Sequence, residues 1–553
     1  MSVYDDRPWL ARYDPGQRSD IEVEHATALE LFAASAAAHP ERELIRYFGA
    51  SLTLGQVDRM SDALAAGLLA GGFEQGDRLA VYLQNVPQFV ISMVATWKAG
   101  GIMVSINPMN KAKELKVLLD DSEASALVCH PDLYDTVAAE VVPTTAVRQV
   151  VTTSELDFQS DPDPRLFAGI TKRTPGGATD LLDLVARFDG HSPPPSALEA
   201  DDIAFLTYTS GTTGPPKGAM TTHRNIVFNA QSYRDWIGLS PDDVVLGVAP
   251  LFHITGLIGH MAISFLLPAP LVLAYRFDPA VMVEVIRRER PTFTVGSITV
   301  FIALMNAPGV QRDDLSSLTR IYSGGAPIPP STVEEFERFC GHYIHNIYGL
   351  TETTSPSHAV PMGARAPVDP TSGALSVGVP IYNTVVRIQG EDGTDLPAGE
   401  IGELVTGGPQ VVVGYWQKPE ETAKALGGGQ LRTGDVGYMD PDGWFYIVDR
   451  KKDQINVAGY KVWPREVEDV LYTHPAVREA AVVGIPDEYR GETVKAFVSL
   501  RPGASAEPAE IIEFCRDRMA AYKYPRFVDI VDELPKTTTG KILRRELRAQ
   551  TNP

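Results

Sequence analysis

The amino-acid sequence predicts an α/β protein with a large N-terminal domain and a small α+β C-terminal domain. The N-terminal domain is expected to hold two parallel-type sheets with covering helices, plus a small β-barrel module. Three observations lead to this prediction. The chain has 553 residues, too many for one ordinary domain. Strand-like apolar runs alternate with helical patterns in its first part, and short strands split by glycines follow later.

The first part of the chain alternates regularly. Residues 27–38 and 54–69 have helical periodicity. Residues 78–83 form a strand pattern, and residues 86–99 return to a helix. Further strand patterns lie at residues 102–106, 124–129, 149–152 and 203–207. Such alternation predicts parallel sheets that are covered by helices on both faces.

The pattern changes from Ser376 onward. Short strands at residues 385–388 and 402–405 are separated by turns that contain Gly393 and Gly399. Short strands with frequent turns are typical of an antiparallel module. This segment is the predicted small β-barrel.

A second change follows Arg450. Helical and strand patterns now alternate over a shorter span, at residues 462–472, 480–484, 494–500 and 508–519. We therefore predict an N-terminal domain at residues 1–448, a hinge at residues 449–452 and a C-terminal domain at residues 453–553.

Composition limits the class of protein. The formal net charge is −21, which makes the chain a poor general binder of nucleic acid. Its three cysteines are far apart, which suits a reducing cytoplasm and gives no metal-ligand spacing: Cys129, Cys340 and Cys515. The N-terminal segment has no apolar core typical of a signal peptide.

One uncharged stretch, residues 247–275, is long enough to suggest a membrane span. Pro268 and Pro270 interrupt it, and His253 lies inside it. A buried loop, helix and strand is therefore the preferred interpretation, with no transmembrane segment.

A loop rich in hydroxyls and glycines follows the strand pattern at residues 203–207. Residues 208–218 read Tyr-Thr-Ser-Gly-Thr-Thr-Gly-Pro-Pro-Lys-Gly. Backbone N–H groups, hydroxyls and a lysine after a strand suit a polyphosphate. It is not a Walker A loop, because Pro216 precedes Lys217 and Gly218 follows it. The candidate phosphate contacts are Thr209, Ser210, Gly211, Thr212, Thr213, Gly214 and Lys217.

Four more motifs follow in order: Tyr-Gly-Leu-Thr-Glu-Thr at 348–353, Arg-Thr-Gly-Asp at 432–435, Asp-Arg-Lys-Lys-Asp at 449–453 and Pro-Lys-Thr-Thr-Thr-Gly-Lys at 535–541. Together with the phosphate loop they resemble the adenylate-forming superfamily of acyl-CoA synthetases, peptide-synthetase adenylation domains and firefly-type luciferases. The resemblance covers roughly the whole chain. Within this superfamily, the sequence most resembles bacterial medium- and long-chain fatty-acid CoA ligases.

The resemblance implies roles for the nucleotide-side residues. Tyr348 would stack on adenine and Thr351 would contact the α-phosphate. Glu352 would hold Mg²⁺, since a hard carboxylate oxygen suits that ion. Asp435 would accept hydrogen bonds from the ribose hydroxyls, with Arg450 as a second ribose contact.

It also implies that the C-terminal domain is mobile. Lys541 would be the catalytic lysine, which meets the reacting carboxylate and α-phosphate. Lys452 would be the hinge about which the domain turns between two settings. In the second setting residues 456–460, which include Gly459 and Tyr460, would face the acyl-adenylate, and Gly459 would let the pantetheine of CoA pass close to the backbone. The alternatives are an ordinary lysine in a basic tail for Lys541 and a surface charge in a linker for Lys452.

The remaining site residues concern the acid. His253 matches a position beside the substrate carboxylate, although a lone histidine among apolar residues is also a common core group. Small residues match positions that line the acyl pocket: Gly296, Gly324, Gly325 and Ala326.

The predicted function is an ATP-dependent ligase that makes acyl-CoA from a medium- or long-chain fatty acid through an acyl-adenylate. ATP, Mg²⁺ and CoA are the expected cofactor and co-substrates. An aryl-acid CoA ligase, or an acyl-AMP ligase that loads a carrier protein, is the alternative. A non-enzymatic nucleotide-binding protein would have to lack Lys541 or Glu352, and both are present. Peripheral membrane contact and a homodimer are left open.

Overall fold

A computed structural model describes residues 2–209, 216–370, 373–450, 453–458, 460–487, 490–537 and 542–550. Within these ranges the strands are β1 Glu43–Tyr47, β2 Ala50–Thr53, β3 Arg78–Tyr82, β4 Ile102–Ser105, β5 Ala126–Cys129, β6 Gln149–Thr152, β7 Thr179–Asp180, β8 Ile203–Tyr208, β9 Gly218–Thr222, β10 Val245–Leu246, β11 Leu271–Leu273, β12 Phe293–Gly296, β13 Arg320–Ser323, β14 Ile344–Tyr348, β15 His358–Ala359, β16 Val379–Pro380, β17 Val385–Gln389, β18 Gly402–Gly407, β19 Leu431–Met439, β20 Phe445–Arg450, β21 Ile455–Val457, β22 Tyr460–Val462, β23 Val477–Asp487, β24 Gly491–Leu500 and β25 Phe527–Ile530.

The α-helices in the same ranges are α1 Ala28–Ala38, α2 Leu54–Ala70, α3 Pro87–Lys98, α4 Ala112–Ser122, α5 Pro131–Leu133, α6 Ala139–Val141, α7 Pro164–Phe167, α8 Leu181–Arg187, α9 His223–Ile237, α10 Ile254–Gly256, α11 Ile263–Leu266, α12 Pro279–Glu289, α13 Ile298–Met305, α14 Pro330–Cys340, α15 Pro419–Ala425, α16 Pro464–Tyr472, α17 Pro508–Arg516 and α18 Arg544–Ala549. A π-helical turn, Leu257–Ala262, joins α10 to α11. A short 3₁₀ turn, Thr351–Thr353, follows β14.

The two parallel-type sheets are confirmed. The first has the strand order β7-β6-β5-β3-β4-β8-β9, and only its β8–β9 pairing is antiparallel. The second has the order β16-β15-β14-β13-β12-β10-β11-β1-β2, and it is parallel from β14 to β1. Helix α3 is buried along its whole length, as a helix packed between other layers must be.

The glycine-split segment forms an antiparallel sheet in the order β17-β18-β19-β20. Beyond Arg450 the chain enters another sheet, β22-β21-β24-β23, with β25 beside β24. The mixed α/β class with a large N-terminal and a small C-terminal domain is therefore confirmed. The boundaries at 448 and 453 stay predictions.

Sequence patterns located most elements to within a few residues. The helix expected at 462–472 begins at Pro464, because proline favours the first helical turn and residues 460–462 pair as β22 instead. The stretch at 247–275 forms a buried loop, a helical segment and β11. In the part of the chain that the structure describes, no helix is both long enough and apolar enough to cross a bilayer.

Separate hydrophobic cores stabilise these layers. Cys340 belongs to the main core of the N-terminal domain, and Cys129 lies in a second core on the other face of the first sheet. Cys515 lies in the core of the C-terminal domain. All three cysteines are buried and free.

Candidate active site

A hydrogen-bonded cluster joins the second parallel sheet to the antiparallel module. The Tyr348 hydroxyl, at the end of β14, donates to Asp435 Oδ2 at 2.7 Å. The Arg450 Nε atom lies 2.8 Å from Asp435 Oδ1. Asp435 and Arg450 are directly opposed in the β19–β20 register, so the strand pairing itself brings them together. The structure thus assembles three of the residues predicted to hold the nucleoside.

The electrostatics of this cluster favour a protonated Tyr348 hydroxyl and a charged Arg450. Burial and the nearby Asp435 charge raise the pKa of Tyr348 far above its usual range. The Asp435 charge also raises the pKa of Arg450. Asp435 is 3% exposed. A carboxylate has about four acceptor positions, so these two donors leave room for two ribose hydroxyls.

Below the Tyr348 ring lies a buried histidine. The ring centroids of His358 and Tyr348 are 5.3 Å apart, and those of His358 and Phe445 are 4.9 Å apart. Burial lowers the pKa of His358 to about 3. His358 is therefore uncharged at neutral pH and packs against the Tyr348 ring as an aromatic group.

Glu352 lies in the turn after β14. Its Oε1 atom accepts a hydrogen bond from the Tyr415 hydroxyl at 2.7 Å. Its carbonyl oxygen accepts the N–H of Val412 at 3.0 Å. Within the described ranges, no group of three or more His, Cys, Asp or Glu side chains could hold a metal ion. A single carboxylate still fits Mg²⁺ that arrives with phosphate oxygens, since this ion commonly uses one or two protein carboxylates.

The base of the phosphate loop is closed by a backbone hydrogen bond from the Thr209 N–H to the Lys217 carbonyl oxygen, at 3.0 Å. The Lys217 ammonium lies 2.5 Å from Glu421 Oε2 and 5.0 Å from the centroid of the Tyr415 ring. Five predicted phosphate contacts fall outside the described residues: Ser210, Gly211, Thr212, Thr213 and Gly214.

His253 begins the helical segment at α10. Its Nδ1 atom accepts the N–H of Thr255 at 3.3 Å, so the imidazole caps the helix. Its side chain is half-buried. By contrast, His260 in the same segment is fully buried, and burial lowers its pKa to about 4. His260 is the packed core histidine of this segment.

The acyl-pocket candidates meet at the carboxyl edge of the second sheet. Gly296 ends β12, and the Gly324 N–H donates to its carbonyl oxygen at 3.1 Å. A Cβ atom on Gly324 would lie 2.4 Å from the Ile347 carbonyl oxygen. Gly325 has φ of +78° and open space around it. Glycine at 324 is therefore required by close strand packing, whereas Gly325 and the half-buried Ala326 adjoin open space or surface.

Tyr460 lies at the surface of the C-terminal domain. It is 60% exposed and stacks on Tyr522 with ring centroids 4.7 Å apart. The neighbouring Lys461 lies 3.8 Å from Glu391 of the N-terminal part. The hairpin that contains Tyr460 thus contacts the loop after β17 through Lys461. Lys452, Gly459 and Lys541 fall outside the described residues.

A charged cluster lies where the two domains join. The Arg544 guanidinium, at the start of α18, lies 3.2 Å from Asp449, 3.4 Å from Asp453 and 2.7 Å from Glu468. Asp449 also accepts the N–H of Arg465 at 2.9 Å, in the first turn of α16. Burial raises the pKa of Asp449. The first residue of the predicted hinge is therefore bound directly to the C-terminal domain.

Two residues of this site were not predicted from sequence. Tyr415 and Glu421 lie near Lys217, outside the five motifs. The available signal was weak: an aromatic pair, Tyr415-Trp416, after a glycine. Neither contact follows from local spacing, because each joins residues that are far apart in the chain.

The fold and this arrangement of residues define an adenylate-forming type of enzyme. The family model of the AMP-binding enzyme matches residues 32–416, and that of the AMP-binding enzyme C-terminal domain matches residues 466–541. The chain therefore belongs to the AMP-binding enzyme family.

Known proteins resemble the chain over nearly its whole length. It is 38% identical to a long-chain-fatty-acid–CoA ligase of Bacillus subtilis (strain 168), over 98% of this chain and 97% of that protein. It is 36% identical to a feruloyl-CoA synthase of Amycolatopsis sp, over 92% and 96%. The crystal structure of the anthranilate CoA ligase AuaEII in complex with anthranoyl-AMP matches with a TM-score of 0.86 at 26% identity, covering 97% of this chain and 98% of that one.

Proposed function

We propose that this protein is a fatty-acid CoA ligase that acts on medium- or long-chain acids through an acyl-adenylate. The observation that supports this most directly is the Tyr348–Asp435–Arg450 cluster, which brings together an aromatic ring and a buried carboxylate where two sheets meet. The similarity to long-chain-fatty-acid–CoA ligases supports the choice of acid.

In the first half-reaction a carboxylate oxygen of the acid attacks the α-phosphorus of ATP. The bond from that phosphorus to the bridging oxygen breaks, and pyrophosphate leaves. Tyr348 holds the adenine and Asp435 the ribose, while Thr351 contacts the α-phosphate. Lys217 and Thr209, with the rest of their loop, hold the outer phosphates. The resemblance assigns His253 and Lys541 to the reacting carboxylate, where the Lys541 ammonium would offset the developing negative charge.

Glu352 would hold Mg²⁺, which supplies charge neutralisation between phosphate oxygens when bound. The Tyr415 hydroxyl keeps one oxygen of that carboxylate oriented. Burial and the Glu352 charge raise the pKa of Tyr415, so its hydroxyl stays a donor at neutral pH.

In the second half-reaction the CoA thiolate attacks the acyl carbon, and AMP leaves with the carbon–oxygen bond electrons. Tyr460 is exposed in the present setting of the C-terminal domain. Rotation about Lys452 would bring Gly459 and Tyr460 over the acyl-adenylate and carry Lys541 away. A hinge of this kind needs only a few backbone torsions to change.

The acyl pocket is proposed to start at Gly296, Gly324, Gly325 and Ala326. Each buried methylene of the chain contributes roughly 0.8 kcal/mol, so a deep pocket favours long acids over acetate. Ala326→Trp should shift the preference in kcat/KM toward shorter acids. Gly324→Ala is a control with a different outcome, because its Cβ would meet backbone. It should lower thermal stability, measured as the melting temperature.

The main experiment measures pyrophosphate release with acetate, octanoate, dodecanoate, oleate, benzoate and ferulate, each with and without CoA. Dodecanoate or oleate should give the highest kcat/KM, and thioester should form only when CoA is present. A preference for acetate would overturn the fatty-acid assignment.

A second candidate is an aryl-acid CoA ligase, which the 36% identity to a feruloyl-CoA synthase favours. Ferulate or benzoate would then exceed dodecanoate in the same panel. If acyl-AMP forms but CoA gives no thioester, an acyl-AMP ligase that loads a carrier protein is the better assignment. A cytoplasmic location belongs to the proposal and is supported by three free, buried thiols.

A further inference from the structure

Tyr415 lies between two charged groups at the phosphate end of the site. Its hydroxyl donates to Glu352 Oε1 at 2.7 Å, and the Lys217 ammonium lies 5.0 Å from its ring centroid. Only 7% of Tyr415 is exposed. The buried Tyr415 side chain thus contacts both charged groups. The proposed function assigns the Glu352 carboxylate to Mg²⁺ and the Lys217 ammonium to phosphate.

The main chain around Tyr415 is bound to both partner segments. The Met220 N–H donates to the Gly414 carbonyl at 2.9 Å, and the Trp416 N–H donates to the Gly218 carbonyl at 2.8 Å. The backbone at Tyr415 therefore lies alongside β9, the strand that follows the phosphate loop. Three residues earlier, Val412 donates to the carbonyl of Glu352. These bonds fix the backbone position of Tyr415 independently of its side-chain contacts.

We propose that Tyr415 is a positioning residue that holds the Glu352 carboxylate and the Lys217 ammonium in the geometry required by metal-bound triphosphate. This proposal rests on the proposed function. A donor to a metal-binding carboxylate fixes which oxygen lone pairs face the metal. An aromatic face attracts an ammonium without neutralising it.

The second partner of Lys217 acts differently. Glu421 lies 2.5 Å from the ammonium, and the side chains of Lys217 and Glu421 are 30% and 45% exposed. Ion pairs as exposed as this one are weak. Phosphate oxygens would therefore replace Glu421, while the Tyr415 ring keeps its contact with Lys217.

The test measures ATP binding by calorimetry, without acid or CoA, once in excess Mg²⁺ and once in EDTA. The ratio of the two dissociation constants gives the contribution of the metal to affinity. Tyr415→Phe keeps the ring and removes the donor, so it should reduce this ratio by about 10-fold and leave affinity in EDTA unchanged. Tyr415→Leu also removes the ring, so it should weaken ATP binding in EDTA as well.

A matched control is Tyr446→Phe. The Tyr446 hydroxyl also donates to a carboxylate, Asp440 Oδ2 at 3.3 Å, but outside the site. It should leave both dissociation constants at wild-type values. Glu352→Gln serves as the reference and should abolish most of the metal contribution.

The outcomes separate the two claims. If Glu352→Gln shifts the ratio and Tyr415→Phe does not, the role of Tyr415 is wrong and the metal assignment stands. If Glu352→Gln leaves the ratio unchanged, the metal assignment itself fails. Equal loss of affinity in Mg²⁺ and in EDTA for Tyr415→Phe, together with a lower melting temperature, would show a merely structural role and overturn the proposal.

Discussion

The nucleotide cluster and the domain junction are both built from arginines and carboxylates, but their charge balance differs. At the nucleotide cluster one carboxylate, Asp435, meets one arginine and one neutral hydroxyl. At the junction one guanidinium, Arg544, faces three carboxylates. The first arrangement is nearly neutral and fixed by strand register, whereas the second has excess negative charge.

This difference suggests how rigid each region is. Asp435 is held by β19–β20 pairing and by the end of β14, so all its partners belong to one body of packed sheets. Asp449 is held by α16 and α18, which lie beyond the predicted hinge. Burial acts to lower the pKa of Arg544, but the charges of Glu468 and Asp449 outweigh it and raise that pKa. We therefore expect the nucleotide cluster to stay intact during turnover and the junction to rearrange.

The largest expected effect concerns Lys541 and separates the two half-reactions. Lys541→Ala should slow acyl-AMP formation by about 10²- to 10³-fold, because it removes charge stabilisation of the transition state. Thioester formation from synthetic acyl-AMP and CoA should continue, since Lys541 acts only in the first setting. Pyrophosphate release and acyl-CoA formation are measured separately.

The control for this variant is Lys536→Ala, in the same motif. The Lys536 ammonium pairs with Glu479 at 2.5 Å, so it should not be needed for adenylation. Equal loss of both half-reactions in a folded Lys541→Ala protein would contradict the two-setting hypothesis.

The next test disturbs the junction alone. Arg544→Gln removes a positive charge that Asp449, Asp453 and Glu468 share, and the Arg544 side chain is 18% exposed. Asp453 keeps its ion pair with Arg548 at 2.9 Å, so Asp449 and Glu468 lose the most. Leaving buried charges unpaired should destabilise the C-terminal domain by about 3 kcal/mol. Hydrogen exchange of β23 and β24 would measure this loss, while exchange in the first sheet stays unchanged.

Arg545→Gln is the matched control, because Arg545 is the exposed neighbour on the same helix. It should behave as wild type. Arg544→Lys should recover part of the loss, since it restores the charge without the planar fork. If Arg544→Gln and Arg545→Gln exchange alike, the junction does not depend on this cluster.

Asp435→Asn tests the nucleotide cluster. It removes the charge that Arg450 and Tyr348 share, and a hydrogen bond to a charged group contributes roughly 1.5–3 kcal/mol. The Kd for ATP should rise by about 10- to 100-fold, with little change in the reaction of acyl-AMP with CoA. Asp442→Asn, in the exposed turn between the same two strands, should bind ATP normally. An unchanged ATP affinity for Asp435→Asn would remove the ribose role.

The smallest effect concerns pH. The folded pKa of His358 is lowered by burial to about 3 from 6.5, so the unfolded chain binds a proton more readily between these values. The corresponding stability is complete above pH 6.5 and is lost as the pH falls. At pH 5.5 the loss should be about 1.4 kcal/mol relative to pH 8.

His358→Phe should flatten this part of the stability curve, measured by thermal melts at several pH values. It does not remove the slope entirely, because burial also lowers the pKa of His223 and of His260 to about 4. His191→Gln, at an exposed position, should keep the wild-type curve. A wild-type slope in His358→Phe would show that His358 is not buried neutral.

The fold could be predicted from sequence because its strands and helices follow apolar periodicity closely. The predicted bounds of strands were wrong where pairing with a distant strand extended the strand beyond its apolar run. Strand β23 runs from Val477 to Asp487, yet only residues 480–484 looked like a strand, because Arg478, Glu479 and Pro486 interrupt the apolar run. The long antiparallel pairing with β24 extends it through these polar residues.

The site was predictable only as a set of motifs. The resemblance to the adenylate-forming superfamily indicated Tyr348, Asp435 and Arg450, but no local rule indicates that Asp435 and Arg450 oppose each other across two strands. Small residues at the acyl edge looked interchangeable in sequence. The structure distinguishes them, because Gly324 is pressed against the Ile347 carbonyl while Gly325 borders open space. Tyr415 was missed because its contacts, with Glu352 and Lys217, join residues that are far apart in the chain.

The placement of the three cysteines makes the local opening of three hydrophobic cores measurable. Each of three hydrophobic cores contains one free thiol: Cys340, Cys129 and Cys515. Burial raises the pKa of all three, to about 12 for Cys515, so none is reactive while its own core is closed. Timed alkylation followed by peptide mass spectrometry would therefore measure the rate at which each core opens. The measurement uses the wild-type enzyme and can be made at any stage of its catalytic cycle.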